Sequence, residues 1–117
     1  MKFQLTKHQK MWEYLAENLP VCKPNEDAQV ILEEYQKKWL VAHGDGLIHN
    51  LNYTCDYAYH KDSKYVCANC PLLYKCDRIY EELFTAMRKQ DDNDIWDVCM
   101  IMAKSPLAFG VSEGDCV

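Results

Sequence analysis

Four cysteines stand in the order Cys55-x11-Cys67-x2-Cys70-x5-Cys76, a spacing suited to gripping one metal ion. Zinc favours a tetrahedron of soft thiolates at ~2.3 Å. Two cysteines separated by two residues can wrap such an ion from a single tight turn, because both sulfurs face the same concavity. Cys67-Ala68-Asn69-Cys70 fits that turn, and Pro71 limits the backbone just after it. Cys76 then comes from the start of a helix, and Cys55 from the far side of a Tyr57–Tyr65 excursion. Cys55, Cys67, Cys70 and Cys76 are therefore the predicted ligands of one structural zinc ion. Two other readings stay open. Some of the four are buried thiols, since free cysteine is among the most buried residue types, or His60 substitutes where Cys55 or Cys76 does not serve.

The remaining chemistry is sparse. Four thiolates close the zinc shell, whereas a catalytic zinc keeps one position open. The sequence holds no H-E-x-x-H, no H-x-E deaminase signature, no phosphate loop and no G-x-S-x-G. A thioredoxin-like use of Cys67 and Cys70 would want a helix directly after the pair, and Pro71 with two further cysteines spoils that context. No enzymatic activity is expected. His8, His43 and His49 read as surface or core histidines. Cys99 falls on an apolar helix face and reads as core, while Cys22 and Cys116 have no evident partner. Seven cysteines without a secretory signal argue for metal binding over disulfides, because the cytosol keeps thiols reduced. The cytoplasm is the expected location.

Helices must position these ligands. Thr6 and Gln9 have capping-box spacing, and Met11, Trp12, Leu15, Ala16 and Leu19 follow a helical period. A first helix is predicted over 7–18, stopped by Pro20. Asn25 is the predicted cap of a second, over 26–42, with Ala28, Ile31, Leu32, Tyr35, Trp39 and Ala42 as its stripe. Residues 47–66 mix tyrosines with turn formers and read as irregular chain with a short hairpin or extended pieces. Ile79, Tyr80, Leu83, Phe84 and Met87 mark a third helix, from Leu72 or Asp77 to Lys89. Asp91-Asp92-Asn93 breaks it and caps a fourth, marked by Ile95, Val98, Cys99, Ile101 and Met102 and closed by Pro106. The fold class is mainly α, with a small α+β variant: about four helices and a zinc-binding insert between the second and third. Residues 1–106 form one zinc-stapled domain, and 107–117 a loosely packed tail. Trp12, Leu15, Tyr35, Trp39, Leu83 and Cys99 are the expected core.

The charge points to a partner. The chain carries a formal net charge of −5, all of it arising in residues 79–117. Glu81, Glu82, Asp91, Asp92, Asp94 and Asp97 gather there. Acids also suit the first turn of a helix through its dipole, so part of this cluster has a local use. As a surface, it fits a basic protein partner, such as the nucleic-acid groove of an enzyme. Tyr53, Tyr57, Tyr59, Tyr65 and Tyr74 could stack bases, but four thiolates on zinc leave residues 55–78 slightly negative. Direct nucleic-acid binding is not expected.

His8-Gln9-Lys10-Met11-Trp12-Glu13-Tyr14-Leu15-Ala16-Glu17-Asn18 resembles the opening of small cysteine-rich proteins encoded by phages and prophages of Gram-positive bacteria. Those proteins carry a C-x-x-C-x-Y-A element and a C-x-x-C-P-L element. Cys55-Asp56-Tyr57-Ala58 matches the second half of the first, and Cys67-Ala68-Asn69-Cys70-Pro71-Leu72 all of the second. The first cysteine of the first element is Asn52 here, which makes Cys76 the needed fourth ligand. Among small phage proteins of this build, the chain resembles type II anti-CRISPR proteins that bind zinc and inhibit Cas9. The resemblance implies non-catalytic binding to Cas9 that blocks DNA targeting. The alternative is a phage zinc-binding regulator or adaptor.

Overall fold

The computed structural model describes residues 3–46, 48–64, 69–73 and 76–108. Five α-helices follow one another: α1 (Leu5–Asn18), α2 (Ala28–Ala42), α3 (Tyr53–Lys61), α4 (Cys76–Arg88) and α5 (Asp92–Ala103), with a short 3-10 turn at His49–Leu51.

Helix α1 begins two residues earlier than Thr6 would set it. Gln4 occupies the N-cap position without a side-chain cap bond, and the fully buried Phe3 anchors the entry instead. His8, Met11, Trp12, Leu15 and Ala16 form its buried face. Pro20 cannot continue the helix, and Leu19 turns extended as the C-cap.

Asn25 is not the cap of α2. It sits at φ 73, in a turn closed by Glu26, whose carboxylate accepts from the Lys23 amide at 2.7 Å. Asp27 is the cap, accepting from the Gln29 amide at 2.9 Å. Helix α2 ends where predicted, in a Schellman motif. The Asp45 amide reaches Leu40 O at 2.8 Å and the Gly44 amide reaches Val41 O at 3.2 Å, with Gly44 at φ 75. Only glycine takes that conformation without steric cost. Tyr35 is half-buried rather than core, with the Lys38 ammonium 4.7 Å from its ring centroid. The inward position is Gln36, one turn from both Leu32 and Leu40.

Of the stretch 47–66, expected to be irregular, the described residues 48–64 are largely helical. Tyr53, Thr54, Tyr57 and Ala58 give α3 one buried face. Asp45 ties it to α1, accepting from Tyr53 Oη at 2.7 Å and Lys7 Nζ at 2.9 Å. Burial would raise the Asp45 carboxyl, but these two donors bring it below its usual range.

Helices α4 and α5 meet through a tight link. Asp91 N–H closes on Ala86 O at 3.1 Å, and the Asp91 carboxylate caps α5, accepting from the Asp94 amide at 3.1 Å. Helix α5 packs on α1 and α4, and α2 packs on α1 and α4. Trp12, Leu15, Leu83, Cys99 and Met102 meet in the centre, and Trp39 is buried alongside. Ile101 faces solvent, contrary to its place in the predicted stripe. Residues 107 and 108 are tied down: Ala108 N–H donates to Pro71 O at 2.7 Å, and Leu73 N–H to Pro106 O at 2.8 Å. Residues 109–117 lie outside the described residues. No described helix is long and apolar enough to cross a membrane.

Candidate metal centre

Three of the four predicted ligands, Cys55, Cys70 and Cys76, are described. Cys55 lies in the first turn of α3, Cys76 opens α4, and Cys70 precedes Pro71, whose carbonyl is held by Ala108. Cys67 lies outside the described residues. The interaction with Cys70 draws the Cys76 thiol below its ordinary range. The Cys76 and Asp77 amides, at the start of α4, act the same way against burial and the Asp77 charge. The interaction with Cys76, together with burial, pushes Cys70 upward, and the Cys55 charge adds to it.

Among the described residues, no three His, Cys, Asp or Glu side chains stand in an arrangement that could hold a metal ion. The predicted tetrad includes Cys67, so the described three are a partial set. Their chemistry suits zinc: they are thiolate-forming, half-buried and drawn from two helices and the segment between. His60 is exposed and lies against Asp56, with Nε2 3.4 Å from Oδ1.

A polar network that local sequence patterns do not signal adjoins these sulfurs. Asn52, fully buried just before α3, donates through Nδ2 to the Tyr80 hydroxyl on α4. Its Oδ1 accepts from Thr54 Oγ1 at 3.1 Å. Burial, and then the charges of Cys55 and Cys76, hold the Tyr80 phenol protonated far above its ordinary range. Tyr80 and Cys55 also line an open groove of about 630 Å³ against α2. The sequence signal was the placement of Tyr80 four residues after Cys76, but Tyr80 also fits the apolar stripe of α4.

The acidic residues are only partly gathered. Glu81, Glu82 and Asp94 line one shallow depression on α4 and α5, interleaved with Arg78 and Lys89. Asp92 and Asp97 are exposed outside it, and Asp91 is half-buried as the α5 cap. Trp96, 46% exposed, stands among them. Cys22 is buried, its amide donating to Met87 O at 3.0 Å and its carbonyl accepting from Gln90 at 2.8 Å. Cys99 is buried as expected, which pushes its thiol up to about 12. No family model, no curated protein and no solved structure matches this chain at a significant level.

Proposed function

We propose that this chain is a non-catalytic binding protein folded around one structural zinc ion held by Cys55, Cys67, Cys70 and Cys76. The observation that carries this reading is the spacing Cys55-x11-Cys67-x2-Cys70-x5-Cys76, and the half-buried placement of Cys55 on α3 and Cys76 at the start of α4 is compatible with it. Zinc, when bound, supplies a cross-link between α3 and the start of α4. Such binding energy is largely folding energy, which suits a chain of 117 residues with a modest core.

The partner we propose is Cas9, with the chain acting as a phage-encoded anti-CRISPR protein. This rests on the resemblance described above. The exposed acids Glu81, Glu82, Asp92, Asp94 and Asp97 are compatible with it, because Cas9 holds its nucleic acid in a positively charged channel. Asp91 belongs to this face by sequence, but its carboxylate is engaged in capping.

The test is cleavage of a plasmid by guide-loaded Cas9 at increasing amounts of this protein. Loss of cleavage near one-to-one stoichiometry is the expected result. Inhibition far below one-to-one would point to an enzyme. No effect on several Cas9 orthologues, with zinc-dependent binding to duplex DNA, would favour the regulator reading.

A further inference from the structure

We propose that the groove between α2 and α4 binds an arginine side chain presented by a basic protein partner, with the Glu33, Asp77 and Glu81 carboxylates and the Tyr80 ring as its contacts. This goes beyond the binding reading above by naming a slot and the side chain that fills it. It depends neither on the metal nor on which basic protein is bound.

Two helix faces build the groove. On α2, Glu33 and Gln36 stand three residues apart, and on α4, Asp77, Tyr80, Glu81 and Phe84 recur at three- and four-residue intervals, so each set shares one side of its helix. The 3-10 turn adds Asn50 and Leu51, and the open volume of about 630 Å³ lies within the range of ligand sites. The three carboxylates line it, and no described lysine or arginine does. Among the described residues none of the three is ion-paired. Glu33 accepts from the Gln29 side-chain amide at 3.2 Å, and Asp77 from the Arg78 backbone amide at 2.8 Å. Both of those partners are neutral. The Arg78 guanidinium leans toward Glu82 instead, at 3.9 Å. The groove therefore keeps negative charge that a cation can neutralise.

The second observation is the amide of Gln36. This residue lines the groove, is 3% exposed, and its Nε2 has no hydrogen-bond partner. A buried donor left without an acceptor is costly, and an acceptor placed in the groove removes that cost. Carboxylates beside an orphaned amide call for a ligand that is cationic and also carries an acceptor. An arginine on an extended peptide segment is both. Its guanidinium forks onto carboxylates, and a neighbouring peptide carbonyl accepts from Gln36. The rings favour arginine over lysine, because a planar guanidinium stacks on an aromatic face while an ammonium is a compact, strongly hydrated point charge. Tyr80 is held in place for that use. Its hydroxyl accepts from Asn52, and its ring lies 5.8 Å from Trp12 and 6.1 Å from Phe84.

The experiment uses the full chain and a fluorescein-labelled peptide of alternating glycine and arginine, read by fluorescence anisotropy at about 0.15 M salt, where distant surface charges are screened. The arginine peptide should bind, its lysine counterpart more weakly, and its neutral citrulline counterpart not at all. Glu33→Gln with Glu81→Gln should weaken arginine binding by about tenfold or more. Glu13→Gln with Glu17→Gln, the same charge change on exposed acids of α1, should leave it unchanged. Gln36→Leu separates binding from packing: it should weaken arginine binding while holding or raising the melting temperature, because the orphaned amide is gone. Should Gln36→Leu not fold, the exposed Glu33 and Glu81 pair carries the test. Equal losses from the two glutamate pairs, or equal binding of the arginine and lysine peptides, would show diffuse charge attraction and overturn the inference. So would a second copy of this chain in the groove, seen by sedimentation as a dimer that the Glu33 and Glu81 substitutions dissociate. A chain that inhibits Cas9 but binds no arginine peptide overturns the slot and leaves the function proposed above standing. Arginine binding without any effect on Cas9 cleavage upholds the slot and removes the Cas9 reading.

Discussion

Lowering the pH from 7 to 4 should destabilise this protein by roughly 3 kcal/mol through His8 alone. The imidazole is fully buried in α1. Its Nε2 donates to Met102 O at 2.9 Å, the Phe3 ring packs 5.5 Å away, and Nδ1 has no partner. Burial lowers its pKa from 6.5 to about 4, only partly opposed by the bond to Met102. An unfolded chain takes up this proton near 6.5, while the folded chain resists it. Stability is therefore full above about 6.5 and is lost as pH falls toward 4. Each unit of difference is worth ~1.4 kcal/mol, and a loss of roughly 3 kcal/mol moves the melting temperature by about 10 °C at this chain length. The assay is thermal or urea unfolding at half-unit pH steps, for wild type and His8→Phe. The variant loses the bond to Met102 O, at a cost of roughly 1 kcal/mol at neutral pH, but has nothing to titrate there. The two curves should converge as pH falls. If they stay parallel from pH 7 to 4, His8 is not the neutral buried group described here.

Trp39→Ala should cost about 3–5 kcal/mol, because the indole is buried, stacks on His43 at 3.7 Å and meets Tyr53 edge-on at 5.9 Å; a melting temperature within a degree or two of wild type would contradict this. Asp91→Ala should cost about 1 kcal/mol by removing the α5 cap, whereas Asp91→Asn, which can still accept from the Asp94 amide, should cost little; chemical unfolding of the pair reads the difference. Native-state alkylation mapped by peptide mass spectrometry should leave Cys22 and Cys99 unmodified until the fold is opened, because burial pushes both thiols up; rapid labelling of Cys99 at neutral pH would contradict the packing of α5.

Helices α2 and α5 were legible because their apolar residues recur on one face and turn residues bracket them. Helix α3 was not. Tyr53, Tyr57 and Ala58 carry a helical period, but Tyr59, exposed and stacked on His49 at 4.2 Å, interrupts it with an aromatic that belongs to no core. Caps were legible in type and less so in place. Asn25 and Asp27 are both good candidates, and the contact of Glu26 with the Lys23 amide makes one a left-handed turn residue and the other the cap. At the candidate site, cysteine spacing marks candidate ligands because a chelating pattern is a local property of the chain. The Asn52–Tyr80 bond spans 28 residues, and nothing in a local pattern encodes such a pairing. The same holds for Asp45, which joins α1 and α3 through Lys7 and Tyr53.

The central claim is the zinc centre, and the metal content of the purified chain tests it most directly. Protein prepared without added zinc should contain one zinc per chain by elemental mass spectrometry. Cys70→Ser should remove the metal and lower the melting temperature, and chelation of the wild type should do the same. A metal-free chain that is fully folded, with a melting temperature indifferent to chelator and to Cys70→Ser, would contradict the account.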